Sequence, residues 1–517
     1  MGDASRERIV LVRSVLLIAL AISALLALET WAQALTQPVA LGRLFEFGPD
    51  EARNYVNGFN RNFNQLLAIV FTTVAIAVPL TANTYSVKFL ELFITDRVNL
   101  LVLLLFVFGV PNNAWLLHDL KNGYFPGFQA SLALGMAVLY PSLLVPYLYY
   151  VFRFLHPTTL LRRLSREVEH EAAKARRRPA DAAHHARAAA ELLEHITSVG
   201  ARSVERGDRT TAVETVLTLR DAVRAYWRAK EGMPAGWFTA DAATFRSLPA
   251  REIDEIAAAR ITVEMKVFAE LRELLSAAVP RNHDVVSAVA ETACTLGLDP
   301  EARADAALEQ MVVDYFNTFI RLAINRRDVR SVFILFHQYR GYAEGIAMER
   351  PERVQEIAYY FQYYAQAARD AGMPFVVETI AHDLGALVHS AWERGYPNRG
   401  KLLERFLQLD AGQAAPLAGV KKAQVLLAGY FLLHGHDAEA AQIRDSLRYL
   451  PPALLASMRD DLLHVHREKF WEINDRRVNM DYVPEAHRAR IAELFTGLVN
   501  GGSGASEQEP AGTVAAS

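Results

Sequence analysis

The chain has 517 residues, in which 55 Lys and Arg stand against 58 Asp and Glu, so its formal net charge is −3. This balance argues against nucleic-acid binding as the main role, because binding to a polyanion rests on an excess of positive charge. The single cysteine, Cys294, excludes an intramolecular disulfide and fits a reducing compartment.

Four long apolar stretches lie in the first third of the chain. A helix needs about 20 predominantly apolar residues to cross a hydrocarbon core about 30 Å thick. The stretches at residues 11–28, 63–82, 98–118 and 130–152 meet this requirement. They predict a four-helix transmembrane module over residues 1–155.

The first apolar stretch has a second interpretation. Arg6 and Arg8 precede it and the small-residue sequence Ala32-Gln33-Ala34 follows it, as in a cleaved secretory signal. Its apolar run is longer than the core of about 7 to 15 residues that is typical of such signals. We therefore expect a retained membrane anchor.

Basic residues beside the apolar stretches predict the orientation of the module, because Lys and Arg are enriched on cytoplasmic flanks. They are concentrated before the first stretch and after the fourth, so both termini are expected in the cytoplasm. The second concentration contains Lys174, Arg176, Arg177 and Arg178. It either fixes the topology alone or also contacts anionic lipid headgroups, at about 1 kcal/mol per basic residue near an anionic membrane surface.

The rest of the chain has the periodicity of amphipathic helices, with apolar residues three or four positions apart. One such stripe comprises Ile357, Tyr360, Phe361, Tyr364 and Ala368. We predict an all-α fold for the whole chain. After the transmembrane module, we expect a cytoplasmic helical domain at residues 156–300, a helical-hairpin array at 301–499 and a disordered tail at 500–517.

Three short segments have the residues expected of turns within helical hairpins. They are residues 205–208 (Glu-Arg-Gly-Asp), 325–328 (Asn-Arg-Arg-Asp) and 434–437 (His-Gly-His-Asp). Glycine favours a left-handed cap at the end of a helix, and aspartate favours the cap at the start of the next one. The carboxy-terminal hairpins are loosely similar to tetratricopeptide units, although their spacing shows no fixed period.

Two segments before the third apolar stretch resemble a bacterial membrane-protein family, domain of unknown function 2254. They are residues 83–90 (Asn-Thr-Tyr-Ser-Val-Lys-Phe-Leu) and 93–97 (Phe-Ile-Thr-Asp-Arg). Residues 200–212 resemble a second landmark of the family, but its usual Ser-Pro-Gly-x-Asn-Asp-Pro is replaced by Val-Glu-Arg-Gly-Asp-Arg-Thr. The resemblance covers about residues 10–300 and implies a multi-pass protein of the bacterial inner membrane with unknown activity.

The first of these landmarks predicts a structured elbow at the cytoplasmic face, between the second and third apolar stretches. It comprises Tyr85, Ser86, Lys88, Asp96 and Arg97. The charged residues lie at the membrane boundary, and the spacing of the apolar residues between them suits a short interfacial helix.

Polar residues also occur within or beside the apolar stretches, where lipid offers no hydrogen-bond partner. They are Asn64, Thr72, Asn112 and Asn113. Such side chains must face protein or water. One explanation is hydrogen bonding between helices, at about 1 to 2 kcal/mol or less per bond. The other is a pathway for an ion or a ligand.

The sequence shows no catalytic, cofactor or metal motif. It has neither a glycine-rich phosphate loop nor a nucleophile elbow. His434 and His436, like His464 and His466, are two residues apart, so on a helix they point to different sides rather than towards one metal ion. We therefore expect no catalytic residue, no cofactor and no bound metal.

Two functions stay open. In the first, the apolar module anchors a helical scaffold or sensor that binds cytoplasmic proteins. In the second, copies of the chain form a homo-oligomeric channel or transporter that is gated by the cytoplasmic part. Four helices with few charges pack adequately as a plain bundle, which favours the first. The expected partners are membrane lipids, a protein on the helical array and another copy of the chain, but no nucleic acid.

Overall fold

A computed structural model describes residues 49–84, 93–94, 96–121, 127–246, 248–410, 416–470, 476 and 478–502. Within the helices of these ranges, a few side chains, including that of Asn112, are not described. The described ranges consist of helices, turns, loops and one isolated antiparallel bridge between Lys469 and Val478. The predicted all-α class is confirmed.

The chain divides into two compact units, Met1–Arg163 and Leu164–Ser517. In the described part of the first unit, three long helices pack against one another: α1 (Pro49–Thr84), α2 (Arg97–Lys121) and α3 (Gly127–Phe154).

Tyr140 of α3 joins these three helices. Its hydroxyl donates a hydrogen bond of 2.9 Å to the carbonyl oxygen of Leu105 on α2. Its ring centroid lies 4.6 Å from that of Phe63 on α1. A Cβ atom on Gly109 would collide with the Tyr140 hydroxyl, so glycine permits this close approach of α2 and α3.

The membrane spans can be assessed for the described residues alone. One helical segment, Arg53–Thr81 of α1, is long and apolar enough to cross a membrane. A second span results if the bent pair Met136–Phe154 and Pro157–Arg177 is counted as one. The predicted span at 63–82 therefore agrees with α1. The first predicted span, at 11–28, lies outside the described residues, and the total of four stays a prediction.

The division between the units falls inside α4 (Pro157–Arg177). The other helices described in the second unit are α5 (Ala182–Arg206), α6 (Arg209–Lys230), α7 (Ala250–Ala258), α8 (Thr262–Ala278), α9 (His283–Gly297), α10 (Pro300–Arg303), α11 (Ala306–Asn325), α12 (Val329–Ile346), α13 (Pro351–Asp370), α14 (Pro374–Glu393), α15 (Arg399–Leu407), α16 (Ala418–Leu433), α17 (Asp437–Leu447), α18 (Pro452–His464) and α19 (Glu485–Gly502).

These helices pack in two rows. Helices α6, α9, α12, α14 and α16 contact one another in that order, and α5, α8, α11, α13 and α15 form the second row. The two helices of each hairpin, such as α11 and α12, join the rows. Contacts of α8 with α11 and of α9 with α12 cross residue 300, where a domain boundary is predicted.

Aromatic side chains fill the space between the rows. The rings of Phe316 on α11 and Tyr339 on α12 stack at 4.7 Å, and Phe336 meets Phe361 of α13 edge to face at 4.8 Å. All four side chains are buried. Such pairs contribute about 0.5 to 1.5 kcal/mol each beyond the burial of their area.

The predicted hairpin turns are confirmed at all three positions, and the predicted aspartate caps at two of them. Asp208 accepts a hydrogen bond from the Thr211 amide at the start of α6, and Asp328 does so from the Ser331 amide at the start of α12. In the third turn, His436 occupies the cap position after left-handed Gly435. Asp437 is instead the first helical residue, where its charge suits the positive end of the helix dipole.

Candidate functional site

Asp96 caps the start of α2. Its Oδ1 atom accepts hydrogen bonds from the backbone amides of Val98 and Asn99, at 3.1 Å and 3.3 Å. These amides belong to the first turn of the helix and have no partner within it. An aspartate at this position therefore fixes where α2 begins.

The Asp96 carboxylate also joins two residues that are distant in the sequence. The Tyr150 hydroxyl donates to Oδ1 at 2.6 Å, and Nη1 of Arg163 donates to Oδ2 at 2.8 Å. Nη2 of Arg163 donates to the Tyr150 hydroxyl at 3.2 Å, which closes the triangle. Burial opposes the charge on Asp96, but the hydrogen bonds outweigh it and hold the pKa of this carboxyl below its ordinary value.

Aromatic rings pack beside this triad of Asp96, Tyr150 and Arg163. The Arg163 guanidinium lies 4.0 Å from the ring centroid of Phe154, a cation–π distance. Phe154 in turn meets Phe93 edge to face at 5.2 Å. Residues from before α2, from α3 and from the start of α4 are thus held together at one point.

The predicted elbow is only partly covered by the described residues. Asp96 lies in the triad, whereas Arg97 is exposed and takes no part in it. Tyr85, Ser86 and Lys88 lie outside the described residues. Sequence reasoning did not connect Tyr150 and Arg163 with Asp96, because 54 and 67 positions separate them from it.

The predicted polar positions within the apolar stretches have different environments. Asn113 is fully buried, and among the described residues neither its Nδ2 nor its Oδ1 atom has a hydrogen-bond partner. Asn64 and Thr72 are exposed on α1. The structure therefore does not bring these residues together.

The basic run at the end of α4 is not uniform. Lys174 lies 2.6 Å from Glu171 and 3.4 Å from Glu167, whereas Arg176, Arg177 and Arg178 are exposed. Burial opposes the charge on Lys174, but its ion pairs outweigh burial and raise its pKa. Contact with lipid headgroups stays a prediction, and it rests mainly on the three arginines.

The cysteine and two of the histidines that were considered for metal or thiol chemistry are buried or lie against backbone carbonyl oxygens of the fold. Cys294 is buried in α9, and burial raises the pKa of its thiol to about 12. His434 lies 2.9 Å from the carbonyl oxygen of Tyr430, and His464 lies 2.6 Å from that of Asp460. Where the structure describes the chain, no three His, Cys, Asp or Glu side chains are grouped as a metal site would require.

A cavity of about 950 Å³ lies in the second unit. Its walls come from the amino-terminal parts of α12, α14 and α16 and from the segment between α18 and α19. Aromatic and aliphatic side chains dominate these walls: Phe333, Ile334, Phe375, Phe470, Val478 and Met480. Ser287 of α9 also lines the cavity.

Charged side chains of the cavity wall are engaged with neighbouring groups. Arg476 makes a bidentate ion pair with buried Asp383, at 2.9 Å and 2.8 Å, and donates to the carbonyl oxygen of Phe333 at 2.6 Å. Lys422 lies 2.9 Å from both Asp461 and Asp481. These contacts tie the segment between α18 and α19 to α12, α14 and α16.

His382 provides an uncharged polar group in the same cavity. Burial is the main reason that its pKa falls to about 4. The imidazole is therefore neutral at neutral pH, with one nitrogen able to donate and the other able to accept a hydrogen bond. The cavity thus combines apolar surface with a few polar groups, which is typical of sites for organic ligands.

No sequence pattern indicates this cavity. Arg476 and Asp383 are 93 positions apart, and neither belongs to a recognisable motif. The segment around residues 465–484 lacks the periodicity of a helix, but this composition does not show which helices the segment packs against.

Comparisons with known proteins identify one family. No curated protein matches the chain. A solved structure described as "Circular tandem repeat protein with novel repeat topology and enhanced subunit contact surfaces" is similar, with 15% identity, coverage of 87% of this chain and 97% of that chain, and a TM-score of 0.23. Residues 7–233 match the family model described as "Predicted membrane protein (DUF2254)". The amino-terminal part of the chain is therefore similar to this family of predicted membrane proteins, whose function is unknown.

Proposed function

We propose that the protein is a membrane-anchored helical sensor. A four-helix module holds the helical-hairpin array at the cytoplasmic side of the bacterial inner membrane, and the array binds a cytoplasmic partner. The observation that carries this proposal is the cavity of about 950 Å³ between α12, α14 and α16. Its volume is at the upper end of the range of about 300 to 1,000 Å³ that is typical of ligand sites.

Exposed apolar side chains support a membrane position for all three described helices of the first unit. Ile76 on α1, Leu101 on α2 and Val145 on α3 expose 64%, 64% and 71% of their surface. A large exposed apolar surface is costly in water, at about 25 cal/mol per Å², but not in lipid. The fourth span, at 11–28, is proposed on its composition alone.

The packing of the second unit supports a binding role. Hairpins that pack in two rows resemble helical-repeat architectures, in which each repeat buries its apolar face against its neighbours and the stack presents a binding surface. The cavity lies against three successive helices of one row. A partner in the cavity would therefore contact several hairpins together.

Photo-crosslinking in living cells tests the proposal. A benzoylphenylalanine residue would replace Phe375, which lines the cavity and is 57% exposed, and, as a control, Met348, which is 60% exposed and does not line it. We expect a discrete adduct at position 375 that is lost when Ser287→Trp also fills the cavity. Equal labelling at both positions, or an adduct that persists with Ser287→Trp, would contradict a partner in the cavity.

A homo-oligomeric channel is the second candidate, and Asn113 is the observation that favours it. A fully buried amide without a hydrogen-bond partner is costly at membrane depth, so water or another copy of the chain would have to satisfy it. One buried amide does not make a continuous path, however, and Asn64 and Thr72 lie on an exposed face of α1. Ion flux through reconstituted vesicles distinguishes the two functions.

A further inference from the structure

Tyrosine and arginine side chains form a stripe across the outer face of the second row of helices. Tyr359 and Tyr363 are one turn apart on the same side of α13. They expose 47% and 42% of their surface, whereas Phe361, on the opposite side, is buried against α12. The guanidinium of Arg321 on α11 lies 5.6 Å from the ring centroid of Tyr363, and that of Arg405 on α15 lies 5.6 Å from that of Tyr359. This Arg–Tyr stripe therefore spans three neighbouring helices.

The Arg–Tyr stripe carries two positive charges that no carboxylate pairs with in the described part of the chain. Arg321 is exposed and Arg405 is half-buried, and each contacts a tyrosine rather than an acid. The acidic residues close to the stripe in sequence have other partners. Glu356 pairs with Arg353, and Glu404 accepts a hydrogen bond from the side chain one turn later. An anion at the stripe would therefore meet positive charge that is not yet compensated.

The hydrogen bond between Arg321 and Tyr363 indicates which anion fits. Nη2 of Arg321 donates to the Tyr363 hydroxyl at 3.0 Å. The same donor pair occurs in the triad, where Nη2 of Arg163 donates to the Tyr150 hydroxyl at 3.2 Å. There, both side chains also donate to the carboxylate of Asp96. Arg321 and Tyr363 thus repeat the donor half of the triad at an exposed position, where the described residues supply no carboxylate and an external one would complete it.

We propose that the Arg–Tyr stripe binds an acidic segment of a partner protein. One carboxylate of this segment accepts hydrogen bonds from Arg321 and Tyr363, and a second carboxylate lies against Arg405. The segment between them crosses the rings of Tyr359 and Tyr363. None of these four residues lines the cavity between α12, α14 and α16, so the stripe is a second docking surface of the array.

A protein segment fits the stripe better than the other anions that arginine and tyrosine bind. A single small carboxylate at Arg321 would leave Arg405 without a partner. Single-stranded nucleic acid can stack on aromatic rings, but it repeats its charge at every nucleotide. Glu356 and Glu404 lie next to the stripe in sequence and would repel such a chain. Tyrosine and arginine are also among the residues that contribute most to binding at protein interfaces.

Fluorescence anisotropy of labelled probes, with the full chain in a non-ionic detergent, tests the proposal. The probes are six-residue peptides that alternate glutamate with proline or glutamine with proline, and hexauridylate RNA. Proline is included because it packs on aromatic surfaces. We expect the glutamate peptide to bind about tenfold more tightly than the glutamine peptide, as a charged hydrogen bond would produce. Equal affinities for the two peptides, or tighter binding of the RNA, would overturn the proposal.

Matched variants locate the binding. Arg321→Gln and Tyr363→Phe each remove a donor and should reduce the affinity for the glutamate peptide towards that for the glutamine peptide. Arg444→Gln on exposed α17 removes the same charge, and Tyr449→Phe removes a hydroxyl from a side chain that is 89% exposed. Both controls should bind like the unmodified protein, and equal losses in the controls would overturn the proposal. Ser287→Trp should leave peptide binding unchanged, because a loss in this variant would place the peptide in the cavity instead.

Discussion

Asp96 combines three tasks in one carboxylate. It caps α2, accepts from Tyr150 and pairs with Arg163, so its removal leaves backbone amides and a guanidinium group without their acceptor. Its side chain is 13% exposed, and water can therefore replace only part of what is lost.

We predict that Asp96→Ala destabilises the protein by about 2 to 4 kcal/mol, from the lost cap and the lost charged hydrogen bonds. The melting temperature of the detergent-solubilised protein measures this loss. Arg97→Ala is the matched control, because Arg97 is adjacent but exposed. Equal melting temperatures for the two variants would show that the triad does not stabilise the elbow.

His382 predicts a dependence of stability on pH. Its pKa is about 4 in the folded protein, against 6.5 ordinarily, so the unfolded chain binds a proton first as the pH falls. Stability is therefore complete above about pH 6.5 and decreases between 6.5 and 4. In His382→Gln this part of the decrease should be absent when urea unfolding is measured at pH 7 and pH 5. An unchanged pH dependence would contradict a neutral imidazole in the folded protein.

At the scale of elements, the segment between α18 and α19 is attached to the helices by Arg476. This side chain reaches Asp383 on α14 and the backbone of α12 at Phe333, which closes one side of the cavity. Asp383 also lies 3.6 Å from Arg340, so it keeps a second cation when Arg476 is removed. The ion pair between Arg476 and Asp383 thus helps to form the cavity wall, and we expect it also to stabilise the second unit.

Breaking this pair should destabilise the second unit. We predict a loss near the lower end of about 3 to 5 kcal/mol for Arg476→Met, because Asp383 would stay buried with only Arg340 nearby. The change Arg459→Met, which removes an exposed pair with Asp460, should cost less than about 1 kcal/mol. Denaturant unfolding of both variants checks the difference, and similar losses would mean that the Arg476 pair behaves like a surface pair.

A contact could be predicted from the sequence only when the two residues that make it lie close together along the chain. The caps at Asp208 and Asp328 were predictable because each side chain bonds an amide three residues later. The partner of Arg476 at Phe333 is 143 positions away, and no local pattern encodes such a contact. The helical class therefore followed from periodicity, whereas the triad and the cavity required the tertiary structure.

Within the complete protein, the two units have different tasks in the proposed function. The first carries exposed apolar helices that suit lipid, and the second carries paired rows of helices with a cavity. If the first unit is an anchor, its buried polar group at Asn113 serves the packing of the helices or a local water molecule. If it is a channel, the same group lines a conducting path.

Ion flux through liposomes containing the full-length protein tests the anchor most directly. We predict flux at the level of empty liposomes for the unmodified protein and for Asn113→Leu, with at most a modest loss of thermal stability in the variant. Recovery of folded protein in the liposomes, shown by protease protection and circular dichroism, is the control. Reproducible currents of the unmodified protein that Asn113→Leu alters would contradict the anchor and establish a conducting path.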